Sequence, residues 1–157
     1  MKLSDRSLTE HIRLLTPLFG IITAVFVLRL IVGISDPPGW LLSLISLSLI
    51  VPVTIVLMAV MIHSRRFGGY PSVVFSTFLL VAWSQILIVL AIIFTLMTGM
   101  ENIYTVPEFS IQGEDPYFSR HIFGHLTFGI GLETIFGSIL GSLVLYMMRR
   151  TSPRKDI

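Results

Sequence analysis

The chain contains no cysteine, which excludes disulfide bonds, thiolate-held iron–sulfur clusters and any thiol nucleophile. Charge is also scarce: 13% of its 157 residues are Asp, Glu, Lys or Arg, about half the share of an ordinary soluble domain. There is no phosphate-binding loop, dinucleotide fingerprint or serine nucleophile elbow, and no repeat between the two halves. No two carboxylates share a helix face and no nucleophile sits beside a histidine, so the means for catalysis are thin.

What the chain has is apolar sequence gathered into runs. Hydrophobic residues make up 54% of it and its mean hydropathy is +0.87. The runs cover about 17–34, 40–62, 71–98 and 118–148, each reaching the roughly 17 to 25 residues needed to cross a bilayer core. Four spans use most of the chain. The expected fold is an all-α membrane protein, a four-transmembrane-helix antiparallel bundle forming one domain over 1–157, with one long outer loop at 99–115. The first run is too long for a cleaved signal, is interrupted by Arg29 and lacks a small-residue cleavage site, so it is expected to stay in the mature protein.

The distribution of basic residues sets the expected orientation. Lys2, Arg6, Arg13, Arg65, Arg66, Arg149, Arg150, Arg154 and Lys155 fall on one side, nine of the 11 in the chain. Asp36, Glu101, Glu108, Glu114 and Asp115 fall on the other, with Arg120. The positive-inside rule puts both termini in the cytoplasm, in a plasma (inner) membrane. The pI of 9.3 then signals topology and anionic lipid, with no nucleic-acid partner.

Local signals divide the runs. Ser7-Leu8-Thr9-Glu10 fits a capping box and predicts a short surface helix over 8–15, with Thr16-Pro17 as a fresh start for the first span. Asp36-Pro37-Pro38-Gly39 makes a tight turn. Trp40 suits the headgroup boundary, and Pro52 predicts a kink in the second span beside Thr54. Pro71 opens the third span and Gly99 is a C-cap. Ser84 and Gln85 lie halfway along that span, beside Trp83. Asp115-Pro116 would start the fourth.

The fourth run is the unusual one. Stepping by four from His121 gives His125, Gly129, Glu133, Gly137 and Gly141, each about 40° on from the last because a helical residue advances about 100°. This stripe is small, polar or ionisable at every step. Gly129, Gly137 and Gly141 read as a helix-packing face, within one chain or in a homo-oligomer. Glu133, in mid-span, must find a partner or stay protonated. The expected polar cluster is Glu133 with Gln85, joined by Arg29 and Thr54 from the first and second spans. An Arg29–Glu133 pair would be structural, whereas an unpaired Glu133 would be open to a ligand or a proton path.

His121 and His125 have the i, i+4 spacing of metal ligands, with Glu101, Glu108, Glu114 or Asp115 as the only source of a third. Haem requires histidines facing each other from two helices, and His11 and His63 lie at the inner surface, so metal and haem are both disfavoured. Two functions remain. One is a small bundle that binds an apolar or amphiphilic partner, a lipid, a quinone or a larger membrane complex, through the Gly-rich fourth helix and a midplane polar cluster. The other is a membrane enzyme or proton-coupled carrier using Glu133, with the outer histidines as its entrance.

Overall fold

A computed structural model describes residues 6–35, 37–105 and 119–151, and every regular element among them is helical. α1 spans Leu8–Gly33, α2 Gly39–Leu44, α3 Leu47–Ser64 and α4 Tyr70–Thr98. The last helix is α5 (Ser119–Gly124), a π-helical turn at His125–Gly129, and α6 (Ile130–Thr151). Four stretches are long and apolar enough to cross a membrane: Leu8–Gly33, Gly39–Ser64, Tyr70–Thr98 and Ser119–Thr151. The Asp115-Pro116 start, with Glu108 and Glu114, lies outside the described residues.

α1 begins where the capping box places it. The Ser7 hydroxyl accepts from Glu10 N, and the Glu10 carboxylate accepts from Ser7 N at 2.8 Å. The expected division at Thr16-Pro17 is absent, because the helix runs unbroken through Pro17. Leu14, Leu15, Leu18, Ile22 and Phe26 form one buried face on both sides of the proline, while the ring points to the exposed side. Packing along that face outweighs the one backbone hydrogen bond that proline removes. Thr16 Oγ1 also donates to Ile12 O at 2.9 Å.

The second span breaks, but not at Pro52. α2 ends at Leu44, and Ser46 starts α3 by accepting from Leu49 N at 3.2 Å. A serine able to cap offers the chain a cheaper restart than opening the helix at the proline. Pro52 then sits on the exposed side of α3. α4 runs from beside Pro71 to Gly99, whose φ of +70° makes it a left-handed cap, with its N–H on Thr95 O.

Contacts between helices fix their arrangement. α3 and α4 pack on each other and each packs on both α1 and α6, so α1 and α6 flank that pair on opposite sides. Of their most apolar windows, 56% of α4 but 17% of the last helix is buried, which makes α4 the central element. α4 and α6 run antiparallel: Gly129 meets Gln85, Gly137 meets Thr77 and Gly141 meets Val73. The core between them holds Ile55, Met58, Ile62, Leu80 and Leu145.

The helix ends are tied down differently. At the end where α1 begins and α6 finishes, Arg6 Nε donates to Phe67 O and Arg149 Nη2 to Gly68 O. His11 is fully buried there, with Nδ1 2.9 Å from Ser76 Oγ and its ring edge-on to Phe67 and Phe75, so it is a packed residue and not a surface one. At the opposite end, residues 99–105 fold back as a strap. Asn102 Nδ2 donates to Ala91 O and Thr95 Oγ1, and Asn102 Oδ1 accepts from Tyr104 N. Burial pushes the Tyr104 phenol up to about 12, against the opposing pull of the Arg29 charge.

Candidate functional site

The most unusual chemistry lies where the last helix widens. In the turn His125–Gly129 the N–H of Ile130 reaches back five residues to His125 O, one further than in an α-helix. Thr127 Oγ1 donates to Phe123 O at 2.6 Å, a side-chain bond of the kind that opens helices. Gly124, Gly129 and Gly131 supply little side-chain packing to hold the regular ladder closed. In the wide turn a residue advances by less than about 100°. The stripe, which would otherwise wind away, is thereby turned back, so that His125, Gly129 and Glu133 all face α4.

Gln85 receives them. It is 3% exposed, at mid-helix in α4, with its amide against the backbone of Gly129. His125 Nδ1 lies 2.6 Å from Gln85 Oε1, and His121 Nε2 lies 3.0 Å from His125 Nε2. The Glu133 carboxyl lies near the same Gln85, one turn on from Gly129. Two hydrogen bonds link His121, His125 and Gln85, and with Glu133 beside Gln85 the four side chains make up one polar path, His121–His125–Gln85–Glu133.

Its polarity follows from donor and acceptor roles. A carbonyl oxygen only accepts, so His125 must carry its proton on Nδ1. In the neutral imidazole Nε2 then accepts, and His121 donates through its own Nε2. The Gln85 amide N–H group is left as the donor on the side of Glu133. Both hydrogen bonds therefore point the same way, from the start of the helix toward mid-span. A primary amide does not exchange protons as imidazole and carboxyl groups do, so the path orients its members more readily than it conducts a proton through them.

Arg29 and Thr54 stand apart from this path. Arg29 is on α1, across the α3–α4 pair from Glu133, and its guanidinium lies over the Tyr104 ring, 5.6 Å from the centroid. The only ion pair among the described residues is Arg6–Glu10 at 3.0 Å. Thr54 is fully buried in α3, where its hydroxyl donates to Val51 O. Of the glycines, Gly137 and Gly141 lie against Ile55, Thr77 and Val73 of α3 and α4, so this face packs within the chain. Gly129 instead makes room for Gln85.

The two Nε2 atoms of His121 and His125 converge, but no third His, Asp or Glu joins them among the described residues. The wide turn follows from no helical periodicity; the cluster of three glycines and a threonine at 124–131 is its one sign in the sequence.

No known protein family, curated protein or solved structure matches this chain.

Proposed function

We propose that this small membrane protein lies in the plasma (inner) membrane with both termini in the cytoplasm, and that it binds an amphiphilic partner. The apolar body of that partner would lie along the exposed side of the last helix, and its polar group would be read by the His121–His125–Gln85–Glu133 path. The observation that supports this is the path itself. Four polar groups are gathered at a turn where the backbone has given up regular helix geometry, and polar groups inside a span are costly, so they are kept where they pair with one another or meet a ligand. A quinone, a lipid headgroup or a polar residue of a larger membrane complex offers the acceptors and donors such a path can meet.

The test is to extract the protein in mild detergent and identify retained amphiphiles by mass spectrometry. Wild type should retain a defined species in near-equal amount to protein, and Gln85→Leu and His125→Phe should lose it. Equal retention by all three would reject the reading.

A proton-coupled carrier or enzyme built on Glu133 is the second reading, favoured by the position of that half-buried carboxyl at the mid-span end of the path. Glu133→Gln separates the two. It keeps the shape and hydrogen bonding needed for binding and removes the proton a carrier would use.

A further inference from the structure

A second polar feature lies on the other side of α4 from the path just described, where α4 meets α1. Between α1 and α4, beneath the strap, is a cavity of about 620 Å³ walled by Phe26, Leu30, Leu90, Phe94 and Ile103. Its size and apolar lining are those of a site for one small ligand or one lipid chain. Asn102 of the wall is already committed to Ala91, Thr95 and Tyr104. The other polar wall residue is Glu101, exposed on the strap.

Arg29 stands beside this cavity, one helical turn from Phe26 and from Gly33 on α1. Tyr104 links the two: its ring stacks on Phe26 at 5.2 Å, and the Arg29 guanidinium lies over it. The Nε of Arg29 is buried with no hydrogen-bond partner, and Arg29 has no carboxylate partner among the described residues. An aromatic face attracts the charge but leaves the five N–H donors of guanidinium largely unmet. Their natural complement is the oxygens of a phosphate.

We propose that this corner binds one phospholipid of the surrounding leaflet, with an acyl chain in the cavity, the phosphodiester on Arg29 and the ammonium of an ethanolamine-type headgroup toward Glu101. A free phosphate would leave the apolar walls unfilled. A net anionic headgroup would meet Glu101 at the mouth, whereas a zwitterion satisfies both side chains.

Native mass spectrometry of the full chain, titrated with phosphatidylethanolamine, phosphatidylglycerol or inorganic phosphate, tests this. One phosphatidylethanolamine should bind, with phosphatidylglycerol about tenfold weaker, the effect of one charge contact. Arg29→Gln should weaken both by about tenfold or more, and Glu101→Gln should abolish the preference between them. Because Arg29→Gln also alters packing on Tyr104, Leu90→Trp provides a second test. It fills the cavity from its exposed wall and should lose the lipid with an unchanged helical circular-dichroism melt.

Equal binding of the two lipids by wild type, or undiminished binding in Arg29→Gln or Leu90→Trp, would overturn the proposal. Displacement of the lipid by inorganic phosphate would reduce it to an anion site. Gln85→Leu leaves this corner intact, so failure here and failure of the α4–α6 reading show in different variants.

Discussion

Gly129 and Gln85 are in direct contact: a Cβ placed on Gly129 would lie 2.9 Å from Gln85 Oε1. The absent side chain is what lets the amide oxygen sit against the helix and accept from His125. Gly129→Ala should therefore push the amide aside and break the His125 bond. Because the displaced group is the far end of a flexible side chain, stability should fall by only about 1 kcal/mol, the value of one hydrogen bond. Gly131→Ala, which meets nothing within 4 Å, should hold stability or raise it by up to about 1 kcal/mol. Imidazole NMR signals and thermal melts of the two variants check this, and an unmoved His125 signal in Gly129→Ala would refute the contact.

The lower glycines should respond differently. A Cβ on Gly137 would lie 2.6 Å from Ile55 Cδ1 and 2.8 Å from Thr77 Cγ2, and one on Gly141 would lie 2.8 Å from Val73 Cγ1. These neighbours are β-branched side chains buried in the core, stiff at their first torsion. Gly137→Val and Gly141→Val should each cost about 1 to 3 kcal/mol through overpacking and loosen α6 from α3 and α4. If instead the variants melt like wild type and only the oligomer mass changes, this face works between subunits.

The proposed orientation can be read by labelling, since the chain has no cysteine of its own. Single cysteines at Ser64 and Thr151 should react with an impermeant thiol reagent only from the cytoplasmic side, and those at Ser35 and Met100 only from the other. All four positions are exposed. Reaction at position 100 from the cytoplasm would invalidate both the topology and the assignment of the strap to the outer face.

Tyr104 gives a pH signature. Its phenol titrates at about 12 when folded, against about 10 for an unperturbed tyrosine. The folded state holds the proton more tightly, so the associated stability is fully present below pH of about 10 and is lost as pH rises toward about 12. A phenolate absorbance titration should show one of the four tyrosines ionising late, and Tyr104→Phe should remove that step. A titration in which the wild type and Tyr104→Phe share the same latest step would contradict the burial of the phenol.

Features that depend on one stretch of chain were legible from the letters. Pro71 and Gly99 bracket α4 because a proline start and a left-handed glycine stop act within a turn or two. The apolar runs give four membrane-length helices because length and hydropathy are local sums. Competition between signals was not legible: the capping pair Thr16-Pro17 lost to a buried face running through it, and Pro52 lost to the cap at Ser46. The partner of Arg29 was out of reach for a different reason. Whether it could meet Glu133 depends on which helices touch, and with α3 and α4 between them its guanidinium lies over an aromatic ring seventy-odd residues along the chain. Gln85 and Glu133 could be brought together by counting depth along two spans, but the histidine link to Gln85 depends on a change of helical pitch that no periodicity assumed.

The wide turn also governs how the last helix tolerates a change in length. It holds one residue more than regular winding needs between the histidines and Glu133. Deleting a single residue from 126–128 would return this stretch to ordinary pitch while Gly137 and Gly141 stay seated. The segment before it would keep nearly its present facing, because four residues of regular helix turn and rise about as far as the five of the wide turn. A deletion here is thus taken up as a change of pitch, whereas the same deletion in the regular winding of α6 would rotate one half of the helix against the other by about 100°.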